Sequence, residues 1–350
     1  MEWAKTHRRA AFDLTGSNML ACSIDDLPGA RDALSFTGSN DTGYRPLVEA
    51  IATRYGVSEP QVMTASGTAG ANLLALAALL EPGDDVMVER PGYDPLAGAA
   101  RLLGANVVSF DRPFDGGFRL DPDRVRAAIT PRTRAIVITS PHNPGGVLAD
   151  GAALDEVGRL AEKAGAHVVV DEVYLDAADP GAPPAATRGD QFVSTSSLTK
   201  SYGLSSLRCG WTIASEALTF RIRRARDVVD GTGSIVAERL SGLAFEHLDR
   251  LAERARRILD ANRPLVREFL ASRPELEWVE SRSTVVFPRL RGVPDAGRFV
   301  ERLLDERDTG LVPGRFFDAP AHFRLGIAGR ADVLRAGLEQ IGAALDARAW

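Results

Sequence analysis

Ser194-Thr195-Ser196-Ser197-Leu198-Thr199-Lys200-Ser201-Tyr202-Gly203-Leu204-Ser205-Ser206-Leu207-Arg208-Cys209-Gly210 is the stretch on which the reading of this chain turns. It begins as an apolar-to-hydroxyl strand and ends in a run of small residues around one amine. Of the 42 basic residues only three are lysines, Lys5, Lys163 and Lys200. Lys5 lies in a polar N-terminal run and Lys163 in a charged helix end, whereas Lys200 has no carboxylate near it in sequence. Arginine stays protonated; lysine can shed its proton and act as a nucleophile. A lysine kept in so arginine-rich a chain points to amine chemistry such as Schiff-base formation, with a solvated loop lysine as the plain alternative.

The chain around it reads as alternating elements. Short apolar runs predict strands over 61–64, 85–89, 106–110, 135–139, 167–171, 192–196 and 210–214, with helices over 44–55, 69–80, 95–103, 121–129 and 152–164 between most of them. Val- and Ile-rich strands joined by crossover helices imply a mostly parallel sheet covered on both faces. Beyond 214 the helical patterns lengthen, over 216–229 and 237–271. Strands over 276–279, 284–290, 311–313 and 322–327 and helices over 295–306 and 331–347 follow. The expected fold is α/β: a large domain with a seven-stranded sheet over 44–245 and a smaller α+β domain over 246–350. Residues 1–43 form an N-terminal arm contributing to the latter. A length of 350 residues suits two such domains.

Composition narrows the class. Hydrophobic residues at 45% and charged residues at 25% fit a globular enzyme, and a net charge of -5 gives no reason to expect nucleic acid or an anionic membrane as partner. Cys22 and Cys209 are too few for a disulfide framework and fit a reducing cytoplasm. Residues 1–9 lack the apolar core of a signal peptide, and no apolar run approaches the roughly 20 residues of a membrane span. No metal site is expected.

In an open parallel sheet ligands sit beyond the carboxyl ends of the strands. Ser66-Gly67-Thr68-Ala69-Gly70 opens a helix with free N–H groups, a candidate anion site. Arg90-Pro91-Gly92-Tyr93 sets an aromatic after the next strand. Ser140-Pro141-His142-Asn143-Pro144-Gly145-Gly146 presents an amide on a stiff turn. Asp171-Glu172-Val173-Tyr174 ends a buried Val run with an acid that needs a cation or several donors. Lys200 and Arg208 follow the last strand. Phosphate donors, aromatic plate, amide, acid, phenol, amine and guanidinium together describe a pocket for a flat, phosphorylated, aldehyde-bearing heteroaromatic.

These motifs resemble the class I/II, fold-type I aminotransferases that depend on pyridoxal 5′-phosphate, over about residues 14–345. The Asn-Pro-Gly turn (Asn143, Pro144, Gly146), Asp171-Glu172-Val173-Tyr174, Ser197 with Lys200, Arg208 with Gly210, Pro313-Gly314-Arg315-Phe316-Phe317 and Arg324 carry the likeness. The resemblance implies that Lys200 holds the cofactor as a Schiff base and then serves as acid/base, a role expected to contribute roughly 10²–10⁴ in rate. It implies that Asp171 pairs with the pyridine nitrogen, that Tyr174 and Asn143 bond the ring 3′-oxygen, and that Tyr93 stacks on the ring. Gly67, Thr68, Ser197 and Arg208 would hold the phosphate. Arg324 would clamp the substrate carboxylate, with Asn143 and Asn18 on the substrate side and specificity set near Asn18, 38–42 and Arg315. A homodimer with shared active sites is implied in the same way.

The chain departs from the family pattern at Ser206, Cys209 and Gly145, at Gly38 where many relatives carry a tyrosine, and over 281–286, which lacks a glycine. The expected activity is transamination between an amino acid and a keto acid or ketone. A lyase, racemase, cyclase or oxidase reaction on the same scaffold is the alternative. A non-enzymatic regulator is disfavoured because no basic helix-turn-helix segment is present. Asp176 and Asp179 read as loop solvation, His142 as a turn residue, and Arg221, Arg223, Arg224 and Arg226 as one solvated helix face or a subunit contact. Arg282, Arg289 and Arg315 read as surface residues by default, and Tyr202 as core or pocket lining.

Overall fold

The computed structural model describes residues 10–348; Lys5 and the polar run 1–9 lie outside them. Seven strands form the main sheet: β1 (Val62–Ser66), β2 (Asp85–Arg90), β3 (Asn106–Asp111), β4 (Thr133–Thr139), β5 (His167–Asp171), β6 (Phe192–Ser197) and β7 (Cys209–Ile213). Their order is β1-β7-β6-β5-β4-β2-β3. Only β7 runs against the others. The central strands are apolar on both sides: Val86, Ile136, Val137, Ile138, Val168, Val169 and Val170 are fully buried. This is what crossover helices on both faces require.

Helices α2 (Gly67–Leu79), α3 (Asp94–Leu102) and α6 (Glu216–Val229) cover one face through Leu74, Ala75, Leu96, Leu218 and Ile222. Helices α4 (Pro122–Ala128) and α5 (Gly151–Ala164) cover the other through Val125, Leu154, Val157 and Ala161. Asp150 caps α5 by accepting from the amides of Ala152 and Ala153, and Gly165 ends it in the left-handed region. A third cluster joins α1 (Arg45–Tyr55) and α7 (Ile235–Glu246) around Trp211. Tyr202 packs there, in the core.

A fourth apolar cluster belongs to the C-terminal third and the N-terminal arm. Leu14 and Met19 pack with α8 (Leu248–Ala271), α9 (Gly297–Arg307) and α10 (Ala331–Asp346). Strand β10 (Phe323–Gly326) pairs antiparallel with both β8 (Val285–Val286) and β9 (Val312–Pro313), and Phe12–Asp13 pairs parallel with Thr309–Gly310.

Four expectations change. The helix expected over 237–271 is two helices, because His247 leaves helical geometry between α7 and α8. The strand expected over 284–290 is interrupted after Val286 and resumes as Arg289–Leu290, which pairs with Leu276–Glu277. Asp176 is not loop solvation: its carboxylate takes Arg54 at 3.0 Å and the Tyr55 hydroxyl at 3.3 Å. Arg226 is not on a solvated face either. It is fully buried, with Glu238 at 3.7 Å and Asp230 at 3.6 Å, while Arg221 and Arg224 are exposed. No helix among the described residues is long and apolar enough to cross a membrane.

Candidate active site

Strand register lines up the chemistry. Thr139 sits opposite Asp171, Asp171 opposite Thr195, Ser197 opposite Gly210 and Ser66 opposite Cys209. Every sheet residue proposed from sequence therefore arrives at one end of the sheet. Because β7 is reversed, its start rather than its end lies there, and Arg208 arrives just before it.

The candidate anion-binding corner is built from α2 and that start. Gly67 opens α2 with φ +68, and a Cβ on it would run into the guanidinium of Arg208. Arg208 itself takes a left-handed backbone, φ 50, uncommon for a residue with a side chain. That turn brings its Nη2 to 3.4 Å from the carbonyl of Ser66. Thr68 donates its hydroxyl to Ser197 at 2.8 Å. Two hydroxyls, a guanidinium and free helix-start amides thus surround one point, the donor set a phosphate takes.

Asp171 is buried at the end of β5. Its Oδ2 accepts from Asn72 at 2.8 Å and its Oδ1 from the amide of Val173 at 3.2 Å. Burial pushes the carboxyl above its usual range, while Asn72, the Val173 amide and the Lys200 charge pull it back. Asn72 is in turn held by the Thr195 hydroxyl at 2.5 Å. Sequence reasoning passed over Asn72; the signal was its being a lone amide in the apolar run 71–80.

The Lys200 amine lies 5.9 Å from the centre of the Tyr174 ring. It donates to Ser17 Oγ at 2.8 Å and to Asn18 Oδ1 at 2.7 Å. Burial, with Arg324 and Arg208 nearby, brings its pKa down to about 7 against the opposing pull of Asp171. Ser17 was not singled out from sequence, since its partner is far away along the chain. Asn18 faces the amine. Burial, with the neighbouring Tyr174 and Asp171, pushes the Tyr93 phenol up to about 12.

Arg324 projects from β10 toward the same space. It donates to Asn143 Oδ1 at 3.3 Å and to the Thr15 carbonyl at 3.3 Å, and its guanidinium lies 4.9 Å over the Phe317 ring. Its Nε is buried without a hydrogen-bond partner. An unmet donor on a buried guanidinium suits an incoming carboxylate. Exchanging Arg324 for lysine is expected to raise the amino-acid KM about tenfold to a hundredfold with a smaller change in kcat, measured by initial rates, because the bidentate fork is lost.

The turn bearing Asn143 explains one departure in the sequence. A Cβ at Gly145 would sit 2.5 Å from Phe118 and 2.6 Å from His142 Nδ1. His142 bonds the Pro91 carbonyl at 2.8 Å through Nε2 and accepts the Gly145 amide at 3.2 Å through Nδ1. Burial first, and Arg112 second, hold it well below the usual histidine range, so it is a neutral turn residue as expected. Arg289 and Arg315 pair with Glu277 and Glu301. Glu172, beside Asp171, accepts the Ala185 amide at 2.8 Å, and burial pushes its carboxyl up to about 8 despite bonds from Ser194 and Ala185. That contribution to stability is complete below 4.5 and is lost as pH rises toward about 8. Thermal unfolding of Glu172→Gln should accordingly vary less with pH across this window than that of the parent chain.

The donor set fits a phosphorylated pyridine aldehyde: a half-buried amine, a buried acid, a buried phenol beside the amine and an anion cradle open to solvent at Arg208. Comparison with known proteins agrees. The family model described as aminotransferase class I and II matches residues 17–341. The capreomycidine synthase of Streptomyces vinaceus is 32% identical, covering 91% of this chain and 83% of its own. The arginine–pyruvate transaminase of Pseudomonas aeruginosa is 30% identical over 97% of this chain and 93% of its own. A pyridoxal-phosphate-dependent aminotransferase from Streptococcus suis superposes with a TM-score of 0.93 at 27% identity, covering 99% of this chain and 96% of that one. With the family model matching most of the chain and the fold superposing along nearly its whole length, this chain belongs to the class I and II aminotransferases, enzymes that work with pyridoxal 5′-phosphate.

Proposed function

We propose that this aminotransferase moves the amino group of an L-amino acid to a 2-oxo acid, with Lys200 as the amine that carries the cofactor and shuttles the proton. The observation that carries this reading is the convergence of Lys200, Asp171, Tyr174, Asn143 and Arg324 at one end of the sheet. Pyridoxal 5′-phosphate, when bound, supplies the aldehyde that takes up an amine and the ring that takes up the electron pair left at the substrate Cα.

The protein's own residues do the rest. A Lys200 amine with a pKa of about 7 is present in both protonation states near neutrality, so it can take a proton and return it. Asp171, fixed by Asn72, is the acid for a ring nitrogen cation; such a cation would bring its buried carboxyl back toward the ionised form. Gly67, Thr68, Ser197 and Arg208 hold the phosphate, Tyr174 and Asn143 the ring oxygen, and Tyr93 the ring face. Arg324 and Asn143 orient the substrate carboxylate, which fixes the bond to be broken relative to the ring. Asn18 borders the substrate from the amine side. The division at 43/44 and 245/246 belongs to this reading, as do a reducing cytoplasmic setting and a homodimer. The last is supported by the exposed apolar side chains Leu34, Phe36, Val228 and Val229.

The test is an absorbance spectrum of the purified protein, repeated with a panel of L-amino acids and no keto acid, with the cofactor then identified by mass. Arginine leads the panel because one relative is an arginine–pyruvate transaminase. Bleaching of the long-wavelength band with conversion to pyridoxamine phosphate supports the reading and names the donor. The likeness to a solved pyridoxal-phosphate-dependent cyclase, at 29% identity and a TM-score of 0.88, makes a cyclase the second reading. Turnover with the cofactor returned as pyridoxal would select it, and a protein that takes up no cofactor would sink both.

A further inference from the structure

The strand of arm that carries Ser17 and Asn18 is stitched to both sides of the site. Leu14 donates its amide to Gly310 at 3.0 Å and accepts from Gly326 at 2.8 Å, and Thr284 donates its hydroxyl to the Ser17 carbonyl at 2.7 Å. Past Ser17, the Met19 amide donates to the Lys200 carbonyl at 2.9 Å and the Cys22 amide to Gly203 at 3.0 Å. The approach is close enough that a Cβ on Gly326 would run into the Gly16 carbonyl. Ser17 is therefore delivered, buried, to the point where the arm crosses the lysine.

Its hydroxyl accepts from Lys200 Nζ at 2.8 Å. A hydroxyl has two lone pairs, so it can take an N–H of the amine while its own hydrogen stays free to turn away. Asn18 Oδ1 takes a second N–H of the same amine at 2.7 Å.

We infer that Ser17 and Asn18 are positioning residues that hold the Lys200 amine while it is free of cofactor. The inference rests on the reading of Lys200 proposed above. A free lysine side chain samples many rotamers, and two fixed acceptors confine its nitrogen to one place. The charged and titratable groups facing it are Asp171 from β5, Tyr174, Arg208 ahead of β7 and Arg324 from β10. Against two guanidinium groups, the acceptors on the arm add to the pull of Asp171 in favouring the protonated form of this amine.

Competitive labelling tests this on the full-length chain with cofactor removed. Trace acetic anhydride is applied across a pH series and each lysine is read by peptide mass spectrometry; exposed Lys163 serves as the internal reference. Both acceptors bind an ammonium better than an amine, so Ser17→Ala and Asn18→Ala should each lower the Lys200 midpoint by about 0.5 to 1 in pH. Lys163 should not move. In the reloaded enzyme, Ser17→Ala should slow the single-turnover half-reaction about tenfold at unchanged half-saturation, and Ser17→Thr, which keeps the hydroxyl, should restore most of it. A Lys200 midpoint unmoved in both alanine variants overturns the inference, whether or not the rate falls, since a merely structural role could slow the rate. A parent enzyme that accepts no amino acid, yet whose Lys200 midpoint moves in Ser17→Ala, would sink the transaminase reading and keep the held amine.

Discussion

Exchanging Lys200 for alanine is expected to abolish the long-wavelength absorbance of the bound cofactor and to lower turnover by about 10² to 10⁴. The amine has two tasks in the proposed reaction, covalent attachment and proton transfer, and among the described residues no second lysine is placed to take over either. Lys163 is on an exposed helix end. Lys200→Arg separates charge from chemistry. It keeps a cation beside Asp171 but cannot present a neutral amine, since guanidinium does not lose its proton in this range. It should fail as badly as alanine in a stopped-flow half-reaction. An arginine variant with a tenth or more of the parent rate would remove the amine from the mechanism and leave only its charge.

The second large effect concerns stability. Arg112 and Glu89 form an ion pair at 2.6 Å with both side chains fully buried. Arg112 also donates to the carbonyls of Phe118 at 2.9 Å and Thr139 at 3.2 Å. Glu89 accepts the Thr139 amide at 2.9 Å and the Thr139 hydroxyl, which in turn accepts the Asn143 amide at 2.7 Å. Replacing Arg112 by methionine leaves a buried carboxylate whose pKa burial already raises. The expected loss is about 3–5 kcal/mol in chemical denaturation. Adding Glu89→Gln to Arg112→Met should recover part of that loss, because it removes the uncompensated charge. A loss below about 1 kcal/mol for the single variant would show that water reaches the pair. Because the network ends on the Asn143 amide, Arg112→Met should also loosen the contact between Asn143 and Arg324.

What could be read from the sequence follows the range of the interactions involved. The strands were legible because Val/Ile runs bounded by turn residues recur between helical stretches, α5 because its apolar periodicity is local, and α2 because its Ala/Leu run is too long for a strand. Lys200, Asp171, Tyr174 and Arg208 stood out because each is an unusual residue immediately after, or before, a strand at one end of the sheet. Ser17 and Asn72 did not, since their functional partners are Lys200 and Asp171, reached only by folding. The break at His247 has no proline or glycine to announce it. Arg226 was misread for a similar reason: three nearby arginines make a polar-looking face, and only folding brings Glu238 of α7 against that one. The absence of a side chain at Gly145 was visible as a departure, but its cause, the ring of Phe118, was not.

The reversal of β7 bears on where this chain can tolerate added length. A parallel strand would have carried the chain from Lys200 to the far end of the sheet before turning back. Here the segment after Lys200 stays at one end, and Arg208 re-enters the sheet beside Ser197. The stretch 201–207 therefore works as a ruler between the amine and the guanidinium, and an inserted residue there would change the distance between them. The connections at the opposite end, around Gly83, Gly104, Gly165 and Gly189, set no such distance. Peptide insertions, affinity tags or a grafted domain belong at those turns, where the chain can lengthen without moving the chemistry.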